Sequence, residues 1–300
     1  MKSILKLMVV LSVVAWPQVF CNDIQGGVGK EAIAAGEDKK RKKKKNKEAV
    51  SKEVTVLDRW ELPDVLTEIS GLEHLGGTRF ACIQDEQGTI FIYNTASRQI
   101  EKEVPFAGAG DFEGIAVAGN TAWVVQSDGK LYEVNNFESA KPAVRSYTTT
   151  LTAGHDVEGL TYDKKEDRLL LAIKGREPGS SDYKGIYAFD TGTRKFAPDP
   201  VLKINLADPV FQGLKEKKRN SLMQPSEIEI HPQTGDIYVS EGASPKLLVM
   251  DADGQKKKLY TLDPDDFPQS EGLAFTPEGE LFISNEGKGG KGTIVKVAID

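Results

Sequence analysis

Gly110-Asp111-Phe112-Glu113-Gly114-Ile115 returns as His155-Asp156-Val157-Glu158-Gly159-Leu160 and, more loosely, as Pro268-Gln269-Ser270-Glu271-Gly272-Leu273. Two weaker copies are Thr67-Glu68-Ile69-Ser70-Gly71-Leu72 and Met223-Gln224-Pro225-Ser226-Glu227-Ile228. The aligned positions Gly71, Gly114, Gly159, Glu227 and Gly272 lie 43, 45, 68 and 45 residues apart. A period near this length, filled with short strands, indicates a β-propeller in which each unit is one blade. What recurs is acidic and stands at the same place in each unit.

Between the repeats run short segments rich in Val, Ile, Leu, Phe and Tyr, broken by Gly, Asn and Asp turns. The first unit gives candidate strands at 71–75, 79–84, 89–93 and 100–105, and the next three units repeat this fourfold pattern. The fifth gives 272–275, 280–284 and 293–298, and there the chain stops one strand short. Segment 54–62 (VTVLDRWEL) belongs to no unit and supplies the missing outer strand, which closes the ring and hides its edges. The expectation is an all-β fold, a five-bladed propeller of four-stranded blades over 54–300. The long 68-residue interval is assigned to two insertions, 176–184 and 207–221, with at most one short helical turn in the second.

The charge is unevenly spread. Residues 1–53 hold 12 Lys/Arg against 6 Asp/Glu, whereas residues 54–300 hold 27 against 39, a balance of about −12. The folded part therefore prefers cations to nucleic acid, and is expected to be a monomer without a nucleic-acid partner. Lys2, Lys6 and the apolar run 7–20 read as an export signal over 1–21, too short for a membrane span. Cys21 stands where a bacterial lipoprotein carries its acylated cysteine, although Phe20 before it is larger than usual there. Lipid anchoring to the cell envelope, at the outer membrane or in the periplasm, is the expectation, with cleavage and secretion as the alternative. Residues 22–53 form a tether with the basic block KKRKKKKNK at 39–47, read as a solvated spacer or a contact for anionic head groups.

In a propeller, the loop into the inner strand and the loop joining the second and third strands open on one face. This gathers Glu68, Asp111, Glu113, Asp156, Glu158, Gln224, Ser226, Gln269 and Glu271 at the mouth of the central channel, with Lys174, Arg176, Glu241 and Glu286 among the second-loop residues on the same face. Converging carboxylates repel unless they are protonated or neutralised. A hard divalent ion resolves this, and calcium suits Glu, Asp and carbonyl donors. The competing reading is a Glu-Gly doublet that only shapes a tight turn, its carboxylates solvated. Asp111, Asp156, Lys174, Arg176, Glu241 and Glu286 are candidates for contact with a ligand. Zinc is disfavoured because His74 and His231 fall on the opposite face, where the turns read as ordinary turn chemistry. The Gly287–Gly292 run (GKGGKG) lacks the ending of a phosphate-binding loop.

Laid out in this way, residues 54–300 resemble the SdiA-regulated (YjiK-like) family. The matching residues are Glu68-Ile69-Ser70-Gly71-Leu72, Phe112-Glu113-Gly114-Ile115, Asp156-Val157-Glu158-Gly159-Leu160, Ser226-Glu227 and Gln269-Ser270-Glu271-Gly272-Leu273 followed by Gly279-Glu280-Leu281-Phe282-Ile283. The resemblance implies a five-bladed propeller distantly related to NHL repeats, with bound calcium and no established reaction, and it puts the calcium site on Glu113, Glu158 and Glu271, with Glu68 and Glu227 as weaker ligands. The fourth repeat departs from the family pattern, with Ser226 where Glu stands elsewhere and Glu227 where Gly stands. The expected function is an exported, calcium-stabilised propeller that holds a small-molecule or protein ligand at the channel mouth. The alternative is a calcium-dependent hydrolase, phytase-like or lactonase-like, in which the metal polarises an oxygen.

Overall fold

The computed structural model describes residues 53–216, 218–255 and 257–300. The export signal, Cys21 and nearly all of the tether lie outside them. Among the described residues, twenty-one strands form five antiparallel sheets. The first blade holds β2 (Ile69–Gly76), β3 (Arg79–Gln84), β4 (Gln87–Asn94) and β5 (Gln99–Ala109). The second holds β6 (Phe112–Ala118), β7 (Thr121–Gln126), β8 (Leu131–Asn135) and β9 (Ala143–Tyr147). In the third, β10 (Val157–Asp163), β11 (Arg168–Ile173) and β12 (Tyr183–Asp190) are followed by an outer strand split into β13 (Lys195–Phe196) and β14 (Leu202–Asn205), both paired with β12. The fourth holds β15 (Glu227–Ile230), β16 (Ile237–Glu241), β17 (Lys246–Met250) and β18 (Lys257–Thr261).

The fifth blade runs β19 (Ser270–Phe275), β20 (Leu281–Asn285) and β21 (Thr293–Ile299), and its outer strand is β1 (Val54–Glu61). β1 pairs with β21 from Val54↔Ile299 to Glu61↔Thr293, so the first described strand closes the ring. The insertion at 207–221 carries two 3-10 turns, Pro209–Phe211 and Arg219–Ser221, rather than the single one expected, and a third, Asp64–Leu66, precedes β2. Asp208 caps the first of the pair by accepting from the Val210 N–H, which ends the extended chain locally. Phe211 and Met223 then bury against the sheets and anchor the insertion.

Alternation along each strand sends one set of side chains to each neighbouring blade. Five apolar clusters result, one per interface between blades. Ile83, Ile92, Ile115 and Val124 lie between the first and second blades, and Trp123, Val125, Leu160 and Leu171 between the second and third. Ile186, Ile204, Ile228 and Val239 fill the next gap. Leu247, Tyr260, Leu273 and Val295 follow, and Leu72, Phe80, Phe282 and Ile294 complete the circle. Cys82 is a small buried apolar residue in this last cluster. Among the described residues, no helix is long and apolar enough to cross a membrane.

Candidate functional site: the acidic channel

The repeated Glu-Gly doublet coincides with a slip in strand register. Pairing of the two inner strands shifts between Ile69 and Gly71, Phe112 and Gly114, Val157 and Gly159, and Ser270 and Gly272. Each slip is a β-bulge, and the unpaired residue within it, Ser70, Glu113, Glu158 or Glu271, is re-aimed out of the ladder. In the fourth blade the ladder starts in register at Glu227, and Ser226 stands just before it.

Glycine follows the bulge because the next blade comes too close for a side chain. A Cβ on Gly159 would lie 2.7 Å from the Ile228 nitrogen and 2.9 Å from the Glu227 carbonyl carbon. On Gly114 it would lie 2.7 Å from Leu160 Cβ. The five inner strands are thus drawn together around a narrow axis.

At the ring position the two serines and three glutamates behave differently. Ser70 donates to the Phe112 carbonyl at 2.7 Å and Ser226 to the Ser270 carbonyl at 2.5 Å, each stitching its blade to the next. Glu158 and Glu271 are buried, and Glu113 stands with them. Burial, then the charges of Glu158 and Asp111, push the Glu113 carboxyl up to about 10. Burial and Glu158 push Glu271 up to about 8. Glu158 rises only to about 7, because Lys174 opposes its burial. The Lys174 ammonium donates to Glu158 Oε2 at 3.0 Å. Burial opposes its charge, but Glu158 and Glu271 outweigh that and hold it above the usual lysine range.

Lys174 is placed by backbone bonds and by a second lysine. Its N–H donates to the Asp156 carbonyl at 2.8 Å, where Asp156 adopts the left-handed conformation with φ of 54°. Lys184, fully buried, donates to the carbonyls of Lys174 (2.5 Å) and Gly175. Burial lowers the Lys184 ammonium to about 8. Lys184 was not anticipated from sequence; a lysine inside an apolar strand, Tyr183–Asp190, is the signal that could have found it.

The remaining expected residues fall into separate places. Asp111 accepts from Ser127 Oγ at the edge of the ring. Glu68 lies two residues before the ring position and acts electrostatically on Asp85 and Glu286, forming a rim group with them. Glu286 accepts from Gln269 Nε2, and burial raises its carboxyl. Arg176 is exposed. Glu241 is committed to the fold: it pairs with buried Lys246 at 3.0 Å and accepts from the Gln224 N–H at 3.0 Å.

Glu227 is inside the channel rather than at its mouth. The innermost strands leave N–H groups unpaired along their inner edge, and Glu227 Oε1 caps two of these, Leu160 (2.7 Å) and Ile228 (2.9 Å). Glu73 likewise accepts from His74 (3.1 Å) and Val117 (3.2 Å). Glu229 accepts from Ile230 N (2.8 Å) and Thr161 Oγ1 (3.0 Å). Glu73 and Glu229 were missed because a glutamate in an alternating strand reads as solvent-facing. Their common offset, two residues after the Gly71 and Glu227 repeat positions, is the signal they carried.

The donor chemistry of Glu113, Glu158 and Glu271 suits calcium. Their arrangement includes a resident ammonium, however, and among the described residues no group of three or more His, Cys, Asp or Glu stands ready to hold a metal ion.

The SdiA-regulated family model matches residues 48–288. No curated protein sequence matches the chain significantly. Among solved structures, glutaminyl cyclase from Myxococcus xanthus superposes with a TM-score of 0.53 at 17% identity, covering 82% of this chain and 96% of that one. A streptogramin B lyase superposes with a TM-score of 0.47 at 11% identity, over 82% of this chain and 98% of that one. At these identities the likeness is one of fold.

Proposed function

The chain belongs to the SdiA-regulated family, and from that premise we propose that it is a cell-envelope binding propeller whose channel mouth takes calcium and, beside it, a small-molecule or protein ligand. The observation that carries the reading is the meeting of Glu113, Glu158 and Glu271 against a single ammonium, Lys174. With more carboxylates than cations, the ring must take up protons or a metal ion. Glu113, Glu158 and Glu271 would hold the ion through hard oxygen donors, and calcium would supply charge neutralisation without a reaction. Lys174, on a flexible four-carbon stem, is the group such an ion would displace from Glu158.

Calcium at a hundredfold excess over its Kd should stabilise the fold by about 2.7 kcal/mol, or roughly 5–10 °C in Tm for a domain of this size. Glu113→Gln with Glu158→Gln should abolish the rise. Identical melting curves in calcium and in chelator for the unaltered protein would remove calcium from the reading.

A second reading, the phytase-like or lactonase-like hydrolase, is favoured by Glu158. A carboxyl that titrates at about 7 beside a lysine is placed for acid–base work. Turnover of lactones or phosphate esters that falls in Glu158→Gln is the result that would elevate it.

A further inference from the structure

The face opposite the mouth, expected from sequence to hold only turns, contains a cavity of about 840 Å3. Its lining includes two carboxylates from blades that are not neighbours, Glu73 of the first and Glu229 of the fourth. Four rings, His74, Tyr162, His231 and Phe275, line it as well, the last two packed edge to face at 4.8 Å.

Behind Glu229, two residues back along β15 and so on the same side of the strand, stands Glu227. It is 1% exposed, and its Oε2 is buried with no hydrogen-bond partner. Glu227 lies outside the cavity lining, and burial holds its carboxyl well above the usual range, so it bears on the cavity through Glu229 in front of it. Glu73 and Glu229 are the charges that act on Glu227, so the three form one electrostatic unit.

The cavity also carries Lys164, Lys165 and Arg168, but Arg168 pairs with Asp163 at 3.0 Å, Lys165 lies 3.9 Å from Glu166, and both lysines are exposed, whereas Glu73 and Glu229 are held by backbone N–H groups and a threonine. Burial raises the carboxyls of Glu73, Glu227 and Glu229, and the backbone N–H groups oppose it. Backbone N–H donors satisfy part of each carboxylate, which accounts for their presence in the channel but leaves acceptor capacity over. The cavity is far larger than a bare ion needs, and ring faces favour an organic cation. Carboxylates complete the recognition by accepting charge-assisted N–H bonds.

We propose that this cavity is a second binding site, on the face opposite the calcium site, for an organic molecule bearing a primary ammonium group, which Glu73 and Glu229 accept at the channel floor while Tyr162, His231 and Phe275 enclose its body. The site is independent of calcium at the mouth and stands or falls separately from it.

Benzylamine is a suitable probe, and benzyl alcohol its neutral isostere. Titration calorimetry on the full chain should detect benzylamine at one site per chain in the millimolar range, and bind benzyl alcohol at least about tenfold more weakly. Glu73→Gln with Glu229→Gln should weaken benzylamine by a similar factor. Equal affinity for amine and alcohol, or undiminished amine binding in the double variant, would overturn the proposal. So would calcium chloride binding that is lost in the same variant, since the floor would then be a metal site. A crystal of the unaltered protein soaked with benzylamine gives a reading that does not depend on how the variant folds. Nitrogen within hydrogen-bond distance of Glu73 or Glu229 supports the site, and amine density only elsewhere refutes it.

Discussion

Replacing Glu271 with glutamine should change how stability depends on pH. The Glu271 carboxyl is 8% exposed and titrates at about 8 in the folded protein, against an ordinary value of 4.5. The folded state therefore holds this proton more tightly than the unfolded chain does. Below pH 4.5 both states are protonated and nothing is lost. As pH rises above that, the unfolded chain gains by ionising while the folded one does not, and stability falls until both are ionised above pH 8. The full loss is about 5 kcal/mol, of which about 3 kcal/mol has gone by pH 7. Glutamine keeps the shape and cannot ionise.

Urea unfolding in chelator, repeated from pH 5 to pH 9, should thus find Glu271→Gln gaining on the unaltered protein by about 4 kcal/mol across the range. Glu113 and Glu158 impose slopes of the same sign on both proteins, and because each interacts with Glu271 the difference between the two curves reads Glu271 together with its effect on them. A difference that stays level with pH would mean that Glu271 ionises freely in the fold, and the account of a crowded, buried ring would be wrong. Saturating calcium should flatten the unaltered protein's own slope, because ionised carboxylates then have a partner.

Two further outcomes are expected. Gly159→Ala forces a methyl against the Ile228 nitrogen and the Glu227 carbonyl carbon, and should cost about 1–3 kcal/mol in denaturant unfolding; an unchanged midpoint would show that the inner strands are not closely drawn. If Cys21 is the acylated residue, a lipoprotein-processing bacterial host fed labelled palmitate should mark the protein and not Cys21→Ser; label retained in the variant, or absent from both, would remove the anchor.

The blades were legible because their signals are local: short β-branched runs, turn residues and a doublet at steady spacing. The closing strand was legible by subtraction, as β1 was the one segment without a unit. The bulges were not, since a register slip is a property of two strands and leaves no mark on either alone. The alignment itself set Ser70 opposite Glu113, Glu158 and Glu271, the place the bulge gives it; Glu68, two residues earlier, and Glu227, which caps inner-edge N–H groups, were named as weaker calcium ligands through the family resemblance alone. Lys174 was legible as a basic residue near the acidic mouth, solvated or salt-bridged; that its partner is Glu158 was not, because its position depends on backbone bonds to Asp156 and on Lys184 beneath the loop. Glu73 and Glu229 escaped notice for the opposite reason: alternation alone assigns a strand glutamate to water, and only the convergence of five inner edges turns that side into a lumen.

The seam between Val54–Glu61 and Thr293–Ile299 joins segments separated by almost the whole sequence. Of the described strands, a ribosome makes the former first and the latter last. Until the latter emerges the early segment has no mate, and its bare backbone must be kept from pairing elsewhere. Circularisation is therefore the slow, topologically remote step of assembly, and late truncations should do more harm than their few lost contacts suggest.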